Sequence, residues 1–419
     1  MSLWAQNRLK NTSHTVTISI RAKHLKILFI ANRFPYPPFR GDKLKIYNLA
    51  KRLSEKNEIH LITFTEQKSD LQYLDKLSPI FKRMEIVHLP KLQSLFNSAI
   101  GLFQKLPLQV QYFKSNEFSV RLKQLLSEEK YDAIHVQHIR MAQYAIPYKQ
   151  YFRILDLPDA FSLYWQRRKE VPRSFLSKWL DNIESKRVIN YEKYVLNEFD
   201  LNLVCSREDQ EFLIQTHKVD NIELLPNGVD TQQFKPGKHD YSHNATLLFT
   251  GNMDYDPNVD AVLYFVDEIM PIILKAFPNV KFLIAGQRPI DKVKALDNGK
   301  NIFVTGFIPD LSETYNSASV VVAPLRFGAG TQNKVLEAMS MGIPVVCSNI
   351  GFKGLGIDDG QGAFMRLGAS DFADQVVKLL MDEKLREQTG KKGIEVIEKS
   401  FTWETISERL ASFLSRGIK

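Results

Sequence analysis

Lys334 and Glu337 follow a small flexible loop, Gly328-Ala329-Gly330-Thr331, within the stretch LRFGAGTQNKVLEAMSMGIPVVCS (325–348). Ahead of the loop runs VVVAPL, the pattern of a buried strand. Behind it a helical rhythm runs up to Gly342 and Pro344, and a second buried strand, PVVCS, follows. A strand, a glycine loop and a helix start together form an anion site. The glycines let backbone approach a ligand, and the free N–H groups and dipole of the helix start favour negative charge. Gly330, Lys334 and Glu337 share one helix face, at spacings of four and three. A cation and an acceptor-only carboxylate one turn apart suit a nucleotide sugar, with diphosphate on the loop and Lys334 and ribose hydroxyls on Glu337. The same residues also describe an ordinary strand–helix turn with an exposed Lys–Glu pair.

Other residues offer chemistry with less context. His135 and His138 end an apolar run, and imidazole has the proton affinity for transfer near neutral pH. Strand alternation puts the two on opposite faces, so at most one faces a common cleft unless the strand ends between them. Asp254 and Asp256 have the spacing of carboxylates that hold a divalent metal on a diphosphate. They read better as a turn and helix start, with acids favoured by the dipole, and no metal is expected. GAGTQN resembles a dinucleotide loop, but its third glycine position is Asn333 and the next strand ends in Cys347-Ser348 without a ribose-holding acid. Nicotinamide chemistry is therefore disfavoured. The two cysteines, Cys205 and Cys347, each end an apolar run and read as buried free thiols.

These residues need a scaffold, and the chain of 419 residues is long enough for two or three full cores. No apolar run approaches a membrane span. The first 24 residues lack a continuous apolar core and a small-residue cleavage site, so they read as a poorly ordered extension and the protein as cytoplasmic. Charge is uneven. Residues 1–200 carry 33 Lys and Arg against 19 Asp and Glu, a balance of +14, and the remainder carries 23 against 28, a balance of −5. A basic first half suits anionic lipid headgroups, an anionic acceptor or nucleic acid, and equally a merely soluble face.

From residue 25 the pattern is regular. Strand-like runs fall at 25–31, 59–65, 84–89, 131–138, 152–157, 200–206 and 222–227, with helical segments between them. A polar segment with proline, glycine and histidines, 231–244, reads as a linker. A second series follows at 245–252, 280–286, 301–306, 319–325, 344–348 and 363–368, and 401–419 reads as an amphipathic helix starting at Thr402. Alternating strands and helices imply parallel, doubly wound sheets, and two such units predict a cleft between them. Gly41, Gly251, Gly286, Gly306 and Gly328 sit at strand carboxyl ends, where backbone and ligand come close. Two segments stand apart. Residues 92–112 are rich in large apolar side chains; they read as a core-facing helix, or as an apolar surface for a membrane or lipid acceptor. Residues 164–179 gather Arg167, Arg168, Lys169, Arg173 and Lys178 among aromatics, a pattern shared by nucleic-acid binders, membrane-surface patches and solvated helices.

The motifs together resemble a known family. PNGVD (226–230) with Phe234 and Pro236, KVLEAMSMGIPVV and the terminal Phe-Thr-Trp-Glu are similar to motifs of the family 4 (group 1) glycosyltransferases. NRFPYPPFRGDKLKIYNL, GNMDYDPNVDAVLYF and PLRFGAGTQNKVLEAMSMGIPVV resemble the subgroup associated with exosortase-type exopolysaccharide systems. The resemblance runs from about Leu25 to the end. It implies a GT-B fold, two Rossmann-like domains facing a cleft: 25–230 on the acceptor side, 245–400 on the nucleotide-sugar side, and 401–419 crossing back. It implies metal-independent, retaining sugar transfer, Glu337 on the donor ribose, Gly306-Phe307 against the base, and Gly41 and Gly251 at the diphosphate. A histidine in the segment matching 135–138 assists at the sugar, with His138 or His135 as the candidates and Gln137 in the usual position. There are two departures. Ala329 stands where many members carry a second glutamate, and Asn252 and Pro257 stand where many carry Arg and Lys, so Lys334, Arg326 and Arg288 become the candidate cations.

The expected activity is transfer of a sugar from a nucleoside-diphosphate sugar to a glycan or lipid-linked acceptor, with no cofactor. A peripheral contact with an anionic membrane surface is the expected location, and nucleic acid is not an expected partner. The alternatives are a nucleotide-sugar-binding protein without turnover and a nucleotide-sugar epimerase.

Overall fold

The computed structural model describes residues 24–39, 41–170, 175–237, 240–243, 245–328 and 332–418. The loop residues Ala329, Gly330 and Thr331, the basic Arg173 and nearly all of the 1–24 extension lie outside the described residues.

The apolar runs form strands; the inner ones are buried on both faces, as expected of parallel sheets covered by helices, and those at the sheet edges are partly exposed. The first sheet holds β1 (Lys26–Ala31), β2 (Glu58–Thr65), β3 (Arg83–His88), β4 (Ala133–Gln137), β5 (Phe152–Leu157), β6 (Leu201–Val204) and β7 (Ile222–Leu224). The second holds β8 (Thr246–Thr250), β9 (Lys281–Ala285), β10 (Ile302–Gly306), β11 (Val320–Ala323), β12 (Val345–Cys347) and β13 (Ala363–Met365). The helices that bear on function are α1 (Gly41–Leu53), α2 (Lys91–Gly101), α3 (Phe161–Glu170), α4 (Phe175–Glu198), α5 (Arg207–His217), α6 (Asp256–Tyr264), α7 (Asn333–Ser340) and α8 (Trp403–Gly417).

All pairings within the two sheets are parallel, in the orders β3-β2-β1-β4-β5-β6-β7 and β10-β9-β8-β11-β12-β13. Strand order therefore reverses between β1 and β4 in the first sheet and between β8 and β11 in the second. A crevice opens outside the carboxyl ends at such a point, and the glycines marked in the sequence sit there. Alternation along β1 sends Leu28 and Ile30 into one apolar cluster and Ile27 and Phe29 into another. The second sheet is likewise covered on both sides, with Leu247 and Phe249 facing one cluster and Leu248 the other.

Helix α8 belongs spatially to the first domain. Trp403, Ile406, Leu410 and Phe413 pack with Ile27, Phe29 and Leu49. Thr402 caps it by accepting the Thr405 N–H, as its sequence suggested. The PNGVD segment meets this crossing: Val229 donates to Phe401 O at 2.8 Å, and a Cβ on Gly228 would sit 2.7 Å from the Trp403 ring, so only glycine fits.

The segment 92–112 departs from its core-facing expectation. Val110 is buried, but α2 and the turn after it expose Leu92, Leu95, Phe96 and Phe103, the last at 93%. Two arginines of the basic segment 164–179, Arg167 and Arg168, are neither part of a free patch nor merely solvated. Arg167 donates to the carbonyl of Gly328 at 2.6 Å, and Arg168 pairs with Asp256 at 3.3 Å, so α3 ties the first domain to the second.

Candidate functional site

A cleft of about 420 Å³ lies between the carboxyl edges of the two sheets and is lined from both domains. Two helices begin on it. Helix α1 opens at Gly41, directly after the loop from β1, and α7 opens at Asn333, after the loop from β11. A Cβ on Gly41 would lie 3.9 Å from the side-chain Nδ2 of Asn333, so the two helix starts face each other. The positive dipole ends of two helices thus converge on one space, an arrangement that favours an anion. Asn227 closes the floor by donating to Asn333 Oδ1 at 2.8 Å across the domain boundary.

Lys334 and Glu337 both line this cleft. Lys334 is 7% exposed, and its ammonium meets the neutral oxygens Asn258 Oδ1 at 3.2 Å and Gln332 Oε1 at 3.3 Å, above the Phe249 ring. Burial pushes its pKa down to about 8, only partly offset by the charge of Glu337. Glu337 is half-buried, and burial raises its proton affinity; the Tyr315 hydroxyl, donating to it at 2.7 Å, acts the other way, as does Lys334. Tyr315 is fully buried and also meets Thr250 Oγ1 at 2.8 Å, so the carboxylate is held by a fixed relay.

The glycine and aromatic candidates fall in part on the cleft. Gly251 lines it, and close approach explains its partner glycine: a Cβ on Gly286 would sit 1.6 Å from the Gly251 carbonyl oxygen. Asn252 also lines it, accepting from Gln287 at 2.8 Å. Phe307 lines it, half exposed, with its ring 5.7 Å from Phe39 of the first domain. Gly306 ends β10 with φ of 72°, turning the chain toward Phe307. Gly328 lies just outside the lining, its carbonyl taken by Arg167.

Arg326 and Arg288, expected as diphosphate cations, do not line the cleft. Arg326 is held by both oxygens of Asp260 at 2.5–2.8 Å over the Tyr264 ring, and Arg288 pairs with Asp254 at 3.2 Å. The carboxylates that neutralise them come from α6 and the turn before it. The same pairing takes both acids of the Asp-x-Asp pattern, since Asp256 meets Arg168. Among the described residues no cluster of three or more potential metal ligands forms.

The two histidines part company. His135, on β4, is 1% exposed, stacked on Phe29 with centroids 4.5 Å apart and 3.4 Å from Asp156. It sits in the core beneath the cleft. Strand β4 ends at Gln137, whose amide donates to the carbonyl of Asp42 in the first turn of α1. His138 follows with φ of 77°, edge-on to Phe161, its Nδ1 accepting the Arg140 N–H at 3.4 Å. Burial, and then Arg140, holds its proton affinity well below the usual imidazole value. His138 is therefore neutral near pH 7 and can donate or accept a hydrogen bond. Neither histidine is among the lining residues.

Several residues of the cleft or of the layer that supports it escaped sequence reasoning. Tyr315 lies in a polar stretch without periodicity. Asn227 was visible only as part of a motif. Asp159 lies two residues past the end of β5, the same strand-end rule that drew attention to Gly41.

Comparison with known proteins agrees with this geometry. A model described as Glycosyltransferase Family 4 matches residues 46–233, and one described as Glycosyl transferases group 1 matches residues 244–382. An "Uncharacterized 44.6 kDa protein in cps region" of Klebsiella pneumoniae is 24% identical over 80% of this chain and 86% of its own length. A UDP-Gal:alpha-D-GlcNAc-diphosphoundecaprenol alpha-1,3-galactosyltransferase of Escherichia coli is 24% identical over 58% of this chain and 64% of its own. Among solved structures, Anabaena Alr3699/HepE in complex with UDP and glucose aligns at a TM-score of 0.66 and 16% identity, covering 94% of this chain and 100% of that one. With two parallel α/β domains, a shared cleft and family matches over both halves, the chain belongs to the family 4 (group 1) glycosyltransferases and has the GT-B fold.

Proposed function

We propose that the cleft binds a nucleoside-diphosphate sugar and transfers its sugar, with retention at the anomeric carbon and without a metal, to a hydroxyl of a glycan or lipid-linked acceptor. The observation that carries this reading is the under-neutralised Lys334 beside two converging helix starts, with Glu337 one turn further on. In this reading Lys334 and the N–H groups of α7 and α1 hold the diphosphate, and Glu337 takes the ribose hydroxyls. Phe307 lies against the base. Preorganised groups supply positive charge at the leaving diphosphate, and such stabilisation is usually the main source of rate acceleration in a site of this kind. The acceptor oxygen bonds to the anomeric carbon as the bond to the diphosphate oxygen breaks, and the acceptor proton passes to the departing phosphate. His138, poised neutral beside the first-domain wall, assists at the sugar, whereas the packing of His135 suits it to support Asp156.

The galactosyltransferase relative, whose name specifies a diphosphoundecaprenol-linked substrate, favours a lipid-linked acceptor in cell-surface or exopolysaccharide synthesis. The apolar face of α2 on the basic first domain suits peripheral contact with an anionic membrane surface on the cytoplasmic side. No described helix is long and apolar enough to cross a membrane.

The test is release of nucleoside diphosphate by purified protein across UDP- and GDP-sugars, with mass spectrometry of products, NMR of the new anomeric centre and a chelator control. A UDP-sugar is the first donor to try, given the UDP in the Anabaena structure. Inertness with every donor in the presence of acceptor extract contradicts the proposal. Binding without turnover points to a nucleotide-sugar-binding protein, and donor conversion without acceptor points to an epimerase.

A further inference from the structure

Past Leu157 the chain runs through Pro158 and Asp159 before α3 begins at Phe161. Asp159 therefore stands at the carboxyl edge of the first sheet and lines the cleft. Its Oδ1 is buried and accepts no hydrogen bond. Each neighbouring acid has at least one partner. Asp156 holds Lys45, Asp209 accepts from Ser206 Oγ and the Ala160 N–H, and Glu192 accepts the Phe161 N–H at 2.7 Å and faces His217. A buried carboxylate oxygen left without a donor is costly, because it has lost water and gained nothing in return. Its state makes sense when a ligand brings the donor.

The surroundings narrow what that ligand presents. Burial raises the pKa of Asp159 to about 7, assisted by the charges of Asp209 on α5 and Glu192 on α4 and opposed by Arg140. Tyr164 of α3 and Tyr255 of the second domain also lie within its electrostatic reach. An anionic ligand group is repelled by three acids with one offsetting arginine, so the diphosphate belongs at Lys334. A neutral hydroxyl fits Asp159.

We propose that Asp159 is an acceptor-binding residue: its carboxylate receives the hydrogen bond of an acceptor sugar hydroxyl, orients it toward the anomeric carbon and selects a hydroxyl over an anionic group at that subsite. This rests on the reading of the cleft as a glycosyltransferase site.

Asp159→Asn preserves shape and removes the charge. Octyl hexosides serve as acceptor probes, and donor hydrolysis reports transfer to water. The variant is expected to keep the melting temperature and donor Kd of the wild type while its acceptor KM rises by about tenfold or more, the scale of a lost charged hydrogen bond. In the wild type, kcat/KM for the acceptor rises as pH increases through about 7, where the carboxylate ionises; in the variant this limb disappears. Unchanged acceptor KM and pH profile overturn the assignment, and so does a loss of donor affinity equal to the loss of transfer. A variant that keeps donor binding and hydrolysis but transfers nothing to the octyl hexosides supports it. Absence of sugar transfer by the wild type would instead overturn the glycosyl-transfer reading itself.

Discussion

Among the described residues two lysines are buried, and their surroundings are opposites. Lys45 is 2% exposed under the first turns of α1, with its ammonium 2.6 Å from Asp156, 3.3 Å from the Cys205 sulfur and 2.9 Å from the Leu225 carbonyl. Burial alone would lower its proton affinity, yet the charge of Asp156 holds it above the usual value. Lys334 is 7% exposed, meets two neutral amides, and is pushed down to about 8. A paired buried charge is a structural device. A buried charge left under-neutralised on a cleft wall is a binding device, because the missing counter-charge is what a ligand supplies. The first domain commits its cation to the fold, whereas the second reserves its own.

The largest effect should come from the structural member of the pair. Lys45→Met leaves Asp156 buried without its counter-charge and is expected to cost about 3–5 kcal/mol of stability, read by denaturant unfolding. Replacing Asp156 as well, with leucine, should recover much of that loss. The binding member should behave in the reverse way. Lys334→Met is expected to leave stability unchanged or raised and to weaken donor binding by about 10- to 100-fold, the range of a hydrogen bond to a charged group.

A pH series sharpens the contrast. The folded, donor-free pKa of Lys334 lies near 8, below its ordinary 10.5. Between those values the unfolded chain binds more protons, so this group makes stability rise with pH across the window. Donor affinity should run the other way: level below about pH 8 and falling above it, by at most about tenfold per pH unit. Lys45 adds no such dependence over this range, since its raised value keeps it charged. The smallest effect concerns the neighbour that fixes Glu337. Tyr315→Phe removes the donor at 2.7 Å and should weaken donor binding by about three- to tenfold, as for one lost hydrogen bond.

Much of the fold was legible because buried parallel strands are continuous apolar runs. All thirteen strand-like runs in the sequence correspond to strands, and the switch points then place Gly41, Gly251 and Lys334 on the cleft. What escaped was pairing between distant segments. Arg326 and Arg288 border cleft loops in sequence, but Asp260 and Asp254 claim them. Alternation could not say where β4 ends, and its end at Gln137 leaves His135 in the core and turns His138 at a positive φ. The apolar content of 92–112 does not tell core from surface, since a helix with one apolar face can turn it either way, and α2 turns its face outward. The basic run around Arg167 was ambiguous because two of its partners, Gly328 and Asp256, are supplied by the other domain.

The claim that Lys334 waits for a diphosphate is tested most directly by donor-binding calorimetry between about pH 8 and 9, in two buffers of different ionisation enthalpy. The account predicts that wild-type protein takes up a substantial fraction of a proton on binding, as the ammonium gains its counter-charge, and that Lys334→Met takes up none. Equal binding heats in both buffers for the wild type, or the same proton uptake in the variant, would contradict it.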